Sequence, residues 1–191
     1  MLKNAKVLIT GGAGFIGSHL ADRLLDLKNN VIAYDNLDEY YSNKEENVRH
    51  NVRKQNFKFV TEDIAKYEAL SKCMKGVDTV FHLAAQPGVG FSIDNPEKTL
   101  TVNVFGTLYV LKVAKEAGVK RVVLASSSSV YGSPRYTPVD EEHPTEPLSV
   151  YGASKLVAEK LGIVYNDQSG LEVIILRYHT VYGPRQRPDM A

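Results

Sequence analysis

Lys6-Val7-Leu8-Ile9-Thr10 runs without a break into Gly11-Gly12-Ala13-Gly14-Phe15-Ile16-Gly17, and the reading of this stretch decides the fold. A short apolar, β-branched run predicts a buried strand, and the helical spacing that begins at Phe15 predicts a helix directly behind the glycines. Between them stands Gly12-x-Gly14-x-x-Gly17. A tight turn there needs a residue without a Cβ, a pyrophosphate must come close to the backbone, and the helix must sit against the strand. The positive end of that helix then faces the phosphates. In isolation such a pattern is also a plain Gly-rich turn; its place between a first strand and a first helix makes it a candidate dinucleotide site.

Working outward, short β-branched runs alternate with helix-period segments along the whole chain. Strands are predicted over 6–10, 30–35, 57–61, 78–83, 121–126 and 171–177, with helices over 15–28, 65–75, 96–118 and 151–168. Most of the strands are continuous apolar runs, as expected when helices cover both faces of a sheet. The fold class is therefore α/β, a doubly wound, Rossmann-like parallel sheet of six strands that fills residues 1–191 as a single domain. Gly76, Gly118 and Gly170 fall just past three of the helices, where a left-handed residue is wanted. Asn95-Pro96-Glu97 offers a cap, a proline and an acid to open the third helix. Residues 36–56 are polar, with a short helix expected around 44–54. Residues 132–147 hold four of the eight prolines and read as a long loop over the strand ends.

Composition narrows the function classes. Lys plus Arg number 23 against 22 for Asp plus Glu, so no basic surplus points to nucleic acid. No apolar run approaches the roughly 20 residues of a membrane-spanning helix. The run Val7-Leu8-Ile9 is too brief for a signal-peptide core. Cys73 is the single cysteine, which excludes an internal disulfide, and no His, Cys, Asp or Glu pair has ligand spacing, so no metal is expected. These features read as a cytoplasmic, reduced protein.

The second strand ends at Asp35, 18 residues beyond Gly17, followed by Asn36. A carboxylate there suits adenosine ribose hydroxyls and repels a 2′-phosphate, which favours NAD over NADP; a turn residue before Asn36 is the plainer reading. Asp63-Ile64 could reach the adenine, and Asp63 could equally cap a helix. Tyr151 and Lys155 lie four apart at the start of a helix and share a face. Moving a tyrosine from near pH 10 to about 7 takes roughly 4 kcal/mol, which Lys155 and a nicotinamide cation could supply. The run Ser126-Ser127-Ser128-Ser129 begins where the fifth strand ends, in the ligand crevice of such sheets.

Taken together, Thr10 to Gly17, His82-Leu83-Ala84-Ala85, the serine run before Val130-Tyr131-Gly132, and Tyr151-x-x-x-Lys155 resemble the extended short-chain dehydrogenase/reductase family. More narrowly the chain is similar to the NAD-dependent nucleotide-sugar epimerases and dehydratases, in motif order and over its whole length. The resemblance implies a transient oxidation: a tyrosine takes the proton of the sugar C4 hydroxyl, NAD takes the C4 hydride, the 4-keto sugar turns, and hydride returns to the other face. By position, Tyr151 is the base, Lys155 lowers its pKa and holds the nicotinamide ribose, and Ser127 hydrogen-bonds the reacting oxygen. The family's cofactor contacts fall on Gly11, Gly14, Phe15, Ile16, Gly17, Asp35, Asn36, Asp63, Ile64, Leu83, Ala84, Ala85 and Asn103.

Local details of the same resemblance narrow the substrate. Where the 4,6-dehydratases carry an Asp-Glu pair this chain has Ser128 and Ser129, which disfavours elimination of water. Thr180 stands where glucose/galactose epimerases usually have Asn. The stretches from Arg187 to Ala191 and from Ala85 to Val89 look like UDP-glucuronate 4-epimerases, in which Ser128, Ser129, Thr180 and Arg187 would hold the sugar carboxylate. Those enzymes commonly have Arg where this chain has Gly90, which keeps UDP-glucose open as the substrate. The resemblance also implies a homodimer packed through helices 96–118 and 151–168, where burial within one domain is the plainer account of the apolar third helix. Family members continue into a smaller C-terminal substrate region beyond this chain's last residues. A non-catalytic NAD-binding module and a simple alcohol dehydrogenase are the competing readings. His82 is expected to be a hydrogen-bonded core residue, and His19 to face structure or solvent.

Overall fold

A computed structural model describes residues 2–187 of the chain. The strands are β1 (Lys6–Thr10), β2 (Asn30–Asp35), β3 (Phe57–Thr61), β4 (Thr79–His82), β5 (Arg121–Ser127) and β6 (Glu172–Tyr178). All pair in parallel, in the order β3-β2-β1-β4-β5-β6. The order reverses between β1 and β4, so the loops leaving these two strands diverge and open a crevice at their carboxyl ends. Register sharpens this edge: Thr10 lies opposite both Tyr34 and His82.

The apolar runs feed two layers. Leu8, Val80 and Val122 meet Leu70 and Met74 of α3 (Tyr67–Met74), and Val110, Leu111 and Ala114 of α6 (Thr107–Glu116). Val7, Ile9, Val31 and Ala33 meet Ala21, Leu24 and Leu25 of α1 (Phe15–Asp26) on the opposite face. Each such leucine or isoleucine, fully withdrawn from water, contributes about 2 kcal/mol. The long α7 (Val150–Ser169) packs on β5 and β6; Gly162 brings it against Leu124, Val173 and Ile175. No helix among the described residues is long and apolar enough to cross a membrane.

Several boundaries differ from the sequence expectation. Helix α1 stops at Asp26, two residues early, because Lys28 takes a left-handed φ of 63°. Helix α3 begins at Tyr67 rather than 65, since the Asp63 carboxylate takes the Ala65 N–H in a local turn. A short helix, α2 (Glu46–Arg49), lies within the polar stretch. A further short helix, α4 (Val89–Asp94), occupies a stretch too rich in glycine and β-branched residues to be read as one.

The expected third helix is not continuous. It divides into α5 (Pro96–Leu100), a π-helical segment over Thr101–Gly106, and α6. The wider turn swings Asn103 into the core, where its side chain finds partners. Asn95 sits at the N-cap of α5, but its side chain makes no cap bond; its backbone carbonyl takes Thr99 N and Oγ1 instead. The glycines past α3, α6 and α7 do adopt left-handed φ values of 68°, 70° and 70°.

His82 ends β4 at 2% exposure with both ring nitrogens engaged, Nδ1 to Thr10 Oγ1 at 2.7 Å and Nε2 to Thr107 Oγ1 at 3.0 Å. Thr107 gives its own proton to Asn103 O at 2.6 Å. Nε2 therefore carries the ring proton and Nδ1 accepts from Thr10. Burial, with Lys155 nearby, lowers the His82 pKa to about 3. The unfolded chain then binds one more proton than the fold between about pH 3 and 6.5, so this group withdraws stability as pH falls through that window, by about 1 kcal/mol per unit. His82→Gln is expected to flatten the loss of stability between pH 6 and 4, measured by denaturant unfolding of variant against wild type.

Candidate active site

The crevice holds a cavity of about 510 Å³ between the carboxyl ends of β1, β2, β4 and β5. Its floor is the glycine turn. Gly11 has φ +70°, and a Cβ on it would lie 2.7 Å from Ala84 N; one on Gly17 would lie 2.2 Å from Gly11 O. The first observation fixes the strand-to-loop crossing and the second lets α1 begin against the turn, its free N–H groups facing the cavity. Gly14, Phe15, Ile16, Leu83, Ala84 and Ala85 complete this wall.

At one end lie Asp35, Asn36, Asp63 and Ile64. Asp35 is buried, its carboxylate accepting Ala13 N at 3.1 Å and Leu37 N at 2.9 Å. Asn36 donates to Asp63 Oδ2 at 2.8 Å, and the Tyr34 hydroxyl donates to Asp63 O at 2.9 Å. Lys66, not Asp63, stands at the N-cap of α3.

At the other end Tyr151, Lys155 and Ser126 to Ser129 converge. Ser149 caps α7, its hydroxyl accepting Gly152 N at 3.0 Å, which sets Tyr151 on the first turn and Lys155 one turn on. Burial raises the Tyr151 phenol above its ordinary value, while a hydrogen bond from Ser127 and the charge of Arg187 oppose the rise. Lys155 is buried with Nζ donating to Ala125 O at 2.9 Å, and burial lowers its pKa to about 8. Tyr178, His179, Thr180, Val181 and Arg187 form the remaining wall. The Arg187 guanidinium lies 4.7 Å from the Tyr40 ring centroid. Residues 188–191, part of the stretch singled out in the sequence, lie outside the described residues.

Asn103 alone among the sequence candidates stands behind the wall. Its Oδ1 accepts Gln86 N at 2.7 Å, and its Nδ2 donates to Gln86 O at 3.1 Å and Ser154 Oγ at 2.9 Å. It shapes the loop after Ala85 rather than touching the cavity. Sequence reasoning also passed over an ion pair with a buried acid. Glu159, one turn beyond Lys155, accepts Ser126 Oγ at 2.5 Å and both Nε and a terminal nitrogen of Arg177, at 3.0 and 2.9 Å. The register of Ser126 opposite Arg177 and the four-residue step from Lys155 to Glu159 were its only traces. Ser92 Oγ accepts Tyr151 N at 3.1 Å, a contact invisible without α4.

Residues 8–191 match the model of one family, described as GDP-mannose 4,6 dehydratase. The chain belongs to the GDP-mannose 4,6 dehydratase family. Within this family's neighbourhood it is 41% identical to a UDP-glucuronate 4-epimerase of Thermodesulfobacterium geofontis, over 96% of this chain and 58% of that protein. A Bacillus cereus UDP-glucuronic acid 4-epimerase, solved with UDP-glucuronic acid and NAD, superposes with a TM-score of 0.90 at 39% identity, covering 97% of this chain and 60% of that one. A Methanobrevibacter ruminantium UDP-N-acetylglucosamine 4-epimerase gives a TM-score of 0.92 at 37% identity, over 100% and 60%. The chain thus spans about 60% of the length of these relatives. The resemblance read from the motifs holds, and so does the fold class.

The geometry carries a prediction. Ser127→Ala removes the hydroxyl that favours the Tyr151 phenolate, so the phenol is expected to titrate at higher pH than in wild type. Tyrosine Cζ resonances of labelled protein, with Tyr151→Phe for assignment, read this directly. Lysine Cε labelling is expected to show one resonance titrating near pH 8 that is lost in Lys155→Met.

Proposed function

We propose that the chain provides the dinucleotide-binding and proton-transfer residues of an NAD-dependent nucleotide-sugar 4-epimerase acting on UDP-glucuronate or UDP-glucose. The observation that carries this reading is that one cavity joins the glycine turn to Tyr151, Ser127 and Lys155. When bound, NAD supplies hydride acceptance and return at the sugar C4. The chain suits it: Gly11, Gly14 and Gly17 leave the backbone bare for a pyrophosphate at the α1 N-terminus, and Asp35 closes the ribose end.

Tyr151 takes the proton from the C4 hydroxyl, and Ser127 holds the oxygen between them in line. Lys155, fixed by the Ala125 carbonyl one helical turn beyond Tyr151, grips the nicotinamide ribose, and Arg187 supplies the positive charge acting on the phenol. Ser128, Ser129 and Thr180 offer hydroxyls to the sugar, and Arg187 offers a fork suited to a C6 carboxylate. Neither Ser128 nor Ser129 exchanges a proton near neutral pH, so elimination of water across C5–C6 has no acid–base pair there. The named activities of the UDP-glucuronate relatives support the same choice.

The protein acts in the cytoplasm as a homodimer. Leu100 and Phe105 of the third-helix region and Val157 and Val164 of α7 are large apolar side chains left exposed, and a second copy covers them in an intersubunit bundle.

Incubated with NAD and either UDP-sugar, the protein is expected to invert C4, seen as new anomeric proton resonances. Tyr151→Phe is expected to slow this by about 10²–10⁴-fold, the usual contribution of a positioned base. Undiminished turnover in that variant, or NAD binding with no inversion of either sugar, overturns the reading.

A further inference from the structure

Tyr40 stands on the polar stretch that follows β2, yet its ring faces the segment that follows β6. The Arg187 guanidinium lies 4.7 Å from the Tyr40 ring centroid, and both residues line the cavity that holds Ser127 and Tyr151. The rest of the ring is fixed. Phe91 of α4 meets it nearly perpendicular, at 80° with centroids 5.0 Å apart. Its hydroxyl sits over Gly88, where a Cβ would lie 2.6 Å from the Tyr40 oxygen. Its backbone N–H donates to Asp38 at 3.0 Å, and Asp38 pairs with Lys98 of α5 at 2.9 Å.

Arg187 reaches this ring from a segment anchored elsewhere. Pro184 O and the Arg185 side chain tie the segment to α1, but neither contact holds the head of Arg187. A long side chain keeps its rotamer freedom unless its end is held. An aromatic face holds a guanidinium by attraction to its charge and leaves the N–H edge directed away from the ring, the geometry that suits a forked contact with a carboxylate. Nε and Nη1 of Arg187 are shielded from water, so the charge acts at a low effective dielectric. The same charge opposes the burial that raises the Tyr151 phenol. Helix α4 serves both residues: Phe91 meets Tyr40, and the adjacent Ser92 accepts Tyr151 N at 3.1 Å.

We propose that Tyr40 is a positioning residue whose ring holds the Arg187 guanidinium in the cavity wall, where it selects a nucleotide sugar bearing a carboxylate over a neutral one. This rests on the nucleotide-sugar reading above and chooses the uronate between its two substrates. Tyr40 touches no reacting atom and acts only through Arg187. Holding the guanidinium places a fork for the sugar carboxylate, and it keeps positive charge acting on the phenol.

The test uses the whole chain, with Tyr40→Leu, Tyr40→Phe, Arg187→Met and the double variant Tyr40→Leu/Arg187→Met. Two readouts are taken: the Tyr151 phenol titration from labelled Cζ, and calorimetric binding of UDP-glucuronate and of UDP-glucose to the NAD-loaded protein. Tyr40→Leu is expected to move the phenol titration to higher pH, because a loosened guanidinium favours the phenolate less. It is expected to weaken UDP-glucuronate about fivefold and UDP-glucose by less than about twofold, the scale of one cation–π contact. Tyr40→Phe keeps the ring and is expected to restore both readouts. In the Arg187→Met background Tyr40→Leu is expected to change neither further, since nothing remains to be positioned. A phenol titration unmoved by Tyr40→Leu, or moved as far in the Arg187→Met background, overturns the proposal. An equal loss of the two sugars also overturns it, because the diphosphate is what they share. Failure of wild type to bind either sugar overturns the substrate reading instead, and the phenol titration, which needs no sugar, still decides whether Tyr40 holds Arg187.

Discussion

A chain of hydrogen bonds, most of them buried, holds the glycine turn and the first turn of α7 in one frame. It runs from Ala84 N to Thr10 Oγ1, through His82 to Thr107, on to Asn103, and through Ser154 to the Tyr151 carbonyl. Every donor and acceptor in it is used, so its members are fixed relative to one another, and any slip leaves a polar group buried without a partner at a cost of about 1–3 kcal/mol. The π-helical segment exists within this constraint. Only the extra residue in that turn lets Asn103 point at Gln86 and Ser154 while Val110 and Leu111, a turn or two later, still face the sheet.

A second network holds the opposite side. Glu159, buried, pairs with the partly exposed Arg177 and is tied to Ser126, while Arg177 also lies over the Tyr131 ring at 4.9 Å. An ion pair with a buried acid is a poor source of net stability, but the buried carboxylate tolerates few alternative geometries. Ser126 is flanked by Ala125, whose carbonyl holds Lys155, and by Ser127, which faces Tyr151. The pair therefore fixes the strand end that presents both contacts.

What was legible in the sequence follows from how local each cause is. The strands and the glycine turn rest on apolar runs and bare backbone, which neighbouring residues dictate, and β1, β2 and β3 fall where they were read. Tyr151, Lys155 and the serines share a cavity because a four-residue helical step and a strand end are likewise local. Asn103 differs: its side chain answers to Gln86 and Ser154, distant in sequence, and this draws it off the cavity wall. Helix α4 has poor intrinsic propensity and is held by packing, with Ser92 tied to Tyr151. Glu159 and Arg177, 18 residues apart in the chain, carry no local signal: they meet only because α7 packs across β6.

The acidity of Tyr151 is set from further away than its helix. Burial by α7 and β5 alone keeps the phenol protonated, and the opposing groups are Ser127 and Arg187. Arg187 stands beyond β6 on a segment that folds back over α1: His19 meets Pro184 O at 2.9 Å, and Arg185 reaches Asp22 at 2.8 Å and Ser18 at 3.2 Å. The same α1 whose N-terminus faces the cavity thus anchors the segment that brings positive charge toward the phenol. Movement of that segment alters the charge acting on Tyr151 and the cavity wall together, since Arg187 belongs to both. The cavity is in this sense a joint between the sheet, which fixes where Tyr151 stands, and the returning segment, which helps decide how readily it gives up its proton.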